Sequence, residues 1–435
     1  MSAGRNFINT IILGFALFAC FLGAGNLVFA PVTGLLAGRE WHLAIFAFSL
    51  SGVLLPVMAF VAVARAGGIE GLTSEMGKTF SMLFTSAVVL CTSLFIAAPR
   101  AAETIYELGV VPIFAPLFGP VPQIIPPLIF FTAVFCVSLS PSIAVKVIGK
   151  YIAPIILVIL SLAIANSAIN PIDIPADTGA HRLFVLRSAF MDGYRTMDIF
   201  AGLVFSGAVF AALAAYRPDS RSARAAMACG GTLIALFAML FINVGLIYLG
   251  ATGASRLDAA IGDAAVFTEL FSAFGAPVFP AFVAIIACLA AMAGLTAGAS
   301  HFFASVTKGG LSYMACVAMI CTASIITATL DDVMLRHALQ VLTVLYPAVI
   351  VLVSLNVLRC RLINKGTFIG GVYSAILVGF LDMMFIKGYI TFSTGALPFF
   401  VHGLAWITPA ITCAVLGTVL YYFLGGKIQK DAHVQ

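Results

Sequence analysis

From Ile8 to Leu424 the chain alternates apolar stretches of about 20 residues with short polar connections. A helix needs that length to cross the hydrocarbon core of a bilayer, and a chain built almost wholly of such stretches has few other ways to fold. The charge content agrees. Only 9% of the residues are charged and 62% are hydrophobic, whereas a soluble domain carries roughly 25% charged residues to cover its surface. The solvent of this chain is therefore largely lipid, and no stretch is left for a sizeable soluble domain. The expectation is an all-α polytopic membrane protein of about twelve spanning segments. They lie near residues 8–36, 42–65, 80–100, 124–142, 150–169, 188–215, 225–250, 278–305, 312–330, 338–358, 367–387 and 400–424.

The longest clear polar connection, 170–187, carries Pro171, Asp173, Pro175 and Asp177. It divides the chain into a first half, 1–169, with five segments, and a second, 188–358, with five more; 359–435 adds two segments and a tail. With the N-terminus inside, 14 of the 22 Lys and Arg residues fall on the cytoplasmic side, so both termini are expected there. The formal charge of +5 comes from basic residues scattered singly or in pairs, which excludes a nucleic-acid surface. The first apolar segment is too long for a signal peptide and is expected to remain as helix 1. None of the nine cysteines forms a CxxC pair, and they read as small hydrophobes rather than as metal or redox ligands.

Two segments are interrupted. Between Arg5 and Arg39 lie 33 uncharged residues. One straight helix of that length would run roughly 50 Å through a core of about 30 Å. Gly23-Ala24-Gly25-Asn26, with Pro31 beyond, marks where it breaks. Backbone unwound at membrane depth must line a cavity or be buried in protein. A break frees amides that suit a carboxylate and carbonyls that suit a small hard cation. The competing reading is that Gly23 and Gly25 only let two helices pack closely; Asn26 beside them argues for a site. The corresponding place in the second half is Gly193–Gly207, with Thr196, Asp198 and Gly202. An ionised Asp at a helix centre costs roughly 2.5–3.5 kcal/mol on insertion scales, so Asp198 reads as functional. The alternative is a salt bridge to Arg195 or hydrogen bonds to a helix break. Paired interruptions in two five-helix halves point to an inverted-repeat transporter.

At these residues the sequence resembles the bacterial leucine/isoleucine/valine: cation symporters. Phe15-Ala16-Leu17-Phe18 followed by Phe21-Leu22-Gly23-Ala24-Gly25-Asn26 looks like their opening signature. The likeness continues through Pro31, Gly34-Leu35, Ala98-Pro99-Arg100, Gly193–Asp198, Ala287-Cys288-Leu289, Gly294-Leu295-Thr296, Tyr346-Pro347 and Gly403-Leu404-Ala405-Trp406. The resemblance implies a twelve-helix carrier of the leucine-transporter type, a five-plus-five inverted repeat with two extra helices. It implies uptake of branched-chain amino acids with Na+ or H+, no prosthetic cofactor, and a place in the bacterial inner membrane. It also implies residue roles. The substrate carboxylate falls on the amides of Ala24 and Gly25 after Gly23, and Asn26 with Thr196 serves a first Na+. Asp198 stands where a small polar residue usually reads the amino group, and whether it meets substrate or cation is open. Gly202 and Phe205 follow on the same segment, Phe205 as a wall of the side-chain pocket. A second Na+ site maps to Ala19, Leu22, Ala293 and Thr296, but the usual neighbouring hydroxyl is replaced by Ala297 and Ser300 comes one turn later. Thr296 could instead bond back to its own helix.

Other polar residues read as structural. Arg100 has the spacing to pair with Glu103, His301 reads as a packed histidine, and Asp382 as a structural or lipid-edge group. The rival functions are a same-fold carrier of another neutral amino acid such as methionine, and an intramembrane aspartyl protease using Asp198 and Asp382. No GxGD, HExxH or GxSxG motif supports an enzyme.

Overall fold

A computed structural model describes residues 2–424, except 112, 114–118, 120, 217–219, 258–262, 273–277, 309, 330–331, 360–361, 390–396 and 400–403. Cys360 and the Gly403 of the last motif lie outside the described residues. Among the described residues nine helical stretches are long and apolar enough to cross a membrane, and Ile125–Val137, Tyr313–Thr329 and Ile407–Phe423 are shorter apolar helices. Residues 1–57 with 93–331 form one compact unit, and residues 58–92 with 332–435 form another.

The first unit holds both interruptions. Helix α1 (Ser2–Phe21) and helix α2 (Ala24–Ala37) are separated by Leu22 and Gly23. The Leu22 amide still donates to Phe18 O at 2.9 Å, which closes α1. Gly23 is extended, at φ −77° and ψ 179°, and no side chain caps α2. The break thus falls at the start of the glycine motif, and Gly25 and Asn26 already belong to α2. Helix α3 (Ala98–Ile105) lies between two wide π-type turns, Cys91–Ala97 and Tyr106–Val110.

The second interruption separates helix α4 (Arg182–Arg195) from helix α5 (Asp198–Ala215). No glycine makes this turn. Met197 takes the left-handed conformation, φ 58° and ψ 22°, which costs an L-residue roughly 1–2 kcal/mol. Gly202 and Gly207 do not break the segment; both lie inside the continuous α5. Non-glycine residues held in this conformation cluster at functional sites.

One long helix splints the first break. Helix α6 (Arg221–Thr252) packs along both α1 and α2. A Cβ on Gly34 of α2 would collide with the Ile247 carbonyl, and one on Gly250 with the Pro31 carbonyl. The backbones of α2 and α6 are therefore in direct contact, as small residues permit in membranes. Helix α7 (Val278–Val306) packs on α5 and α1 and completes the core of this unit.

The connection between α4 and the preceding helix runs as a strap at the end of α2. The Arg39 amide donates to Ala176 O at 2.8 Å, Thr178 Oγ1 to Leu36 O at 3.2 Å, and Ser255 Oγ to Asp173 Oδ2 at 2.7 Å. The Ser255 bond and the Ile174 amide hold the exposed Asp173 carboxyl below the usual carboxylate range, with Ser255 the largest cause.

In the second unit, helices α8 (Asp332–Leu358), α9 (Lys365–Ile386) and α10 (Ile407–Phe423) pack in sequence. Asn364 caps α9 in a reciprocal box with Thr367. Thr367 and Thr418 hydroxyls meet at 2.6 Å between α9 and α10. Arg359 pairs with Glu75 at 3.5 Å, and Asn356 Nδ2 donates to Leu72 O at 3.1 Å. Asp382 lies half-buried on α9.

Candidate functional site

The two interruptions meet inside the first unit. A Cβ on Gly25 would sit 3.4 Å from Cα of Thr196, so the start of α2 lies against the turn between α4 and α5. Asn26 and Asp198 join across that contact. Asn26 is fully buried, and its Nδ2 donates to Asp198 Oδ2 at 2.5 Å and to Phe21 O at 2.9 Å. One side-chain amide thus ties the start of α2 to the last residue of α1 and to the first residue of α5. Asp198 is 8% exposed and stands in the first turn of α5, where the helix dipole favours a carboxylate. The neighbouring Thr196 hydroxyl donates to Gly193 O at 2.9 Å.

The amide that does this leaves its other end bare. Asn26 Oδ1 is buried and has no hydrogen-bond partner among the described residues. A buried acceptor without a donor costs roughly 1–3 kcal/mol, and a hard cation is the natural partner for such an oxygen. Gly23 and Ala24, by contrast, are partly exposed, and Gly23 approaches Asp198: a Cβ there would lie 3.8 Å from Oδ1. Ala24, Gly25 and Asn26 form the uncapped first turn of α2, the position of a helix whose amides lack intrahelical acceptors.

Arg195 does not bridge to Asp198. Its guanidinium is 3.6 Å from Asp192 Oδ1, one turn earlier, and Thr33 of α2 donates to the same Asp192 at 2.9 Å. That buried Thr33–Asp192 bond, a second tie between α2 and α4, has no local sequence signal.

Gly202 is buried one turn beyond Asp198. Phe205 is fully buried farther down α5, where its ring and Cys20 Sγ crowd Gly294 of α7. Of the residues mapped to a second cation, Ala19, Leu22, Ala293 and Thr296 are all fully buried. Thr296 Oγ1 has no partner among the described residues, so it does not bond back to its own helix, and Ser300 Oγ is likewise without one. Ser138, which sequence reasoning missed, donates from its hydroxyl to Ala293 O at 3.2 Å. No group of three or more His, Cys, Asp or Glu side chains gathers among the described residues, so the oxygens available are hydroxyl, amide, carbonyl and one carboxylate.

Residues 6–424 match the family of branched-chain amino acid transport proteins. This chain belongs to that family. It is 31% identical over 437 residues to the branched-chain amino acid permease BraB of Bacillus subtilis, covering 97% of this chain and 98% of that one. It is 32% identical to the branched-chain amino acid transport system 2 carrier protein of Pseudomonas aeruginosa, over 95% and 96% of the two chains. Among solved structures, this family member superposes on a Na+-coupled sialic acid symporter with TM-score 0.56 at 15% identity, covering 96% of this chain and 90% of that one. It superposes on Mhp1, a nucleobase-cation-symport-1 family transporter, with TM-score 0.53 at 14% identity, covering 97% and 93%. These likenesses show the fold, the leucine-transporter type. The family member is a multi-pass membrane transport protein and not an enzyme.

Proposed function

We propose that this chain is a secondary active symporter that takes up leucine, isoleucine and valine together with Na+ or H+ by alternating access. The observation that carries the reading is the Asn26–Asp198 bond at the meeting point of two broken helices, with Asn26 Oδ1 left unpartnered. The names of the relatives support the substrate class, and the Na+-coupled symporter among the fold neighbours favours Na+.

The roles follow from the chemistry of the groups. The uncapped amides of Ala24 and Gly25, after the extended Gly23, receive the substrate carboxylate at the positive end of α2. Asp198 receives the substrate ammonium beside Thr196. Asn26 Oδ1 serves the first cation. Thr296 Oγ1, with the carbonyls of Ala19, Leu22 and Ala293, serves a second, and Ser300 stands in for the hydroxyl absent at Ala297. Gly202 leaves room beside Asp198, and Phe205 backs the apolar side-chain pocket. Residues 1–169 and 188–358 act as inverted halves joined by 170–187, with both termini cytoplasmic in the bacterial inner membrane. Entry of one net positive charge gains about 2.3 kcal/mol per 100 mV of membrane potential, enough to drive uptake without ATP.

The test is uptake of labelled leucine, isoleucine, valine and methionine into proteoliposomes under an imposed Na+ or proton gradient. Stimulation of the branched-chain substrates by either gradient is expected. No stimulation of any of them refutes the symporter reading, and stimulation of methionine alone replaces the substrate.

A further inference from the structure

Beside the site stands one charged group without an ion pair among the described residues. Arg100 lies on α3, half-buried, within the stretch Lys78–Val110 that is apolar enough to cross the bilayer. Its spacing suggests a pair with Glu103, but its guanidinium turns instead toward α2, with Cζ 5.8 Å from the centroid of the Phe29 ring. Phe29 lies one helical turn beyond Asn26, which holds Asp198, and α3 packs against α2 and α7. Yet no ion pair and no hydrogen-bond acceptor engages the guanidinium among the described residues; the one side-chain hydrogen bond made to the residue runs from Thr104 Oγ1 to its backbone carbonyl, at 2.7 Å.

A half-buried guanidinium with five donors and no acceptor among the described residues is available to an anionic ligand, and charged residues within membrane-spanning stretches mark substrate pathways. A face contact with a phenylalanine ring compensates only weakly for the lost hydration. Asp198 is bonded instead to Asn26, one turn before Phe29 on α2. The site therefore presents one buried anion and, one turn farther along α2, a cation that is not joined to it. A zwitterion fits between two such charges, its ammonium toward the carboxylate and its carboxylate toward the guanidinium. The planar fork of arginine matches a carboxylate with two parallel bonds, which lysine cannot reproduce.

We infer that Arg100 moves from the Phe29 ring onto the α-carboxylate of the bound substrate, so that Arg100 and Asp198 together restrict the carrier to zwitterionic amino acids. The inference rests on the carrier reading above and adds a specificity-determining residue from α3 to it.

The experiment compares competition against labelled leucine by unlabelled leucine and by leucinol, which keeps the ammonium and side chain and lacks the carboxylate. In the reconstituted wild-type carrier leucine is expected to compete at least about tenfold better than leucinol, the worth of a charge-assisted hydrogen bond. Arg100→Gln should weaken leucine by about that factor, leave leucinol unchanged, and raise KM more than it lowers the maximal rate. Arg100→Lys should fall between them. A leucine-to-leucinol ratio that stays at the wild-type value in Arg100→Gln overturns the inference, since a purely structural role weakens both compounds alike. The wild-type protein supplies a second readout should that variant not assemble. Phenylglyoxal modification of Arg100, read by mass spectrometry, should be slowed by leucine and not by leucinol; equal or absent protection overturns the inference. Wild-type protein that neither takes up nor binds leucine removes the carrier reading itself, and this inference with it.

Discussion

Asn26→Ala and Asp198→Asn alter the same hydrogen bond, yet the structure gives them unequal effects on stability. Asn26→Ala removes both donors that Nδ2 supplies, leaving the Phe21 carbonyl and the Asp198 carboxylate short of a partner inside the protein. Leaving a buried group short of its hydrogen bond costs about 1–3 kcal/mol, and more for a charged one. Asp198→Asn keeps the shape and an oxygen acceptor for Asn26. It exchanges a charge-assisted bond for a neutral one, a loss of about 1 kcal/mol. It also replaces an ionised carboxylate by a neutral amide at a buried position, which relieves part of the roughly 2.5–3.5 kcal/mol that an ionised Asp costs in a membrane helix. The two terms offset, so Asp198→Asn should unfold near the wild-type temperature while Asn26→Ala unfolds below it. Both should lose coupled uptake, because each removes a group of the site. Thermal unfolding of the purified carrier with a thiol-reactive fluorophore measures this, since Cys20, Cys288, Cys316 and Cys321 are buried and free. The double variant should show strong non-additivity, as contacting residues do. The reasoning is refuted if Asp198→Asn is as destabilised as Asn26→Ala, or if Asn26→Ala is as stable as the wild type.

Three further outcomes follow from the geometry. Thr296→Ala should leave thermal stability within about 0.5 kcal/mol, since its hydroxyl has no partner among the described residues, but should raise the coupling-cation concentration for half-maximal uptake; unchanged cation dependence removes Thr296 from the cation site. Gly34→Val or Gly250→Val forces a side chain into a facing carbonyl and should cost about 1–3 kcal/mol or more, seen as lower folded yield and a lower unfolding temperature. Asp173 has its carboxyl lowered by Ser255 and the Ile174 amide, so its contribution is fully present above the ordinary carboxylate pKa and is lost as pH falls through the lower folded value. Hydrogen exchange in the 170–181 strap should therefore stay slow at neutral pH and rise only in strong acid, and Asp173→Asn should flatten that rise.

Much of the fold was legible because membrane helices announce themselves by length and the break at Leu22–Gly23 by glycine. The second break was placed in the right segment, but its turn is made by Met197, whose type gives no hint of a left-handed backbone. Asp198 was legible because a carboxylate is costly in lipid wherever it stands. Its partner was not, since Asn26 and Asp198 are 172 positions apart, and two residues of opposite character on separate helices can meet or miss. The same limit explains the Arg195 and Arg100 expectations. Spacing along one helix allowed pairs with Asp198 and with Glu103, whereas the structure turns Arg195 back to Asp192 and Arg100 across to Phe29. Ser138 and Thr33 escaped notice because lone hydroxyls are common in membrane helices and only their distant acceptors distinguish them.

The two-faced amide of Asn26 has a thermodynamic consequence. Its nitrogen is committed to Asp198 and Phe21, which fixes the direction in which its oxygen points. A cation drawn to that oxygen polarises the amide and strengthens the N–H bond to the carboxylate. In the proposed symport, substrate at Asp198 acts back through the same amide. Each ligand then changes the affinity of the other by one common factor, as linkage requires. A single planar group, rather than a relay of side chains, is sufficient to make the binding of one solute conditional on the other.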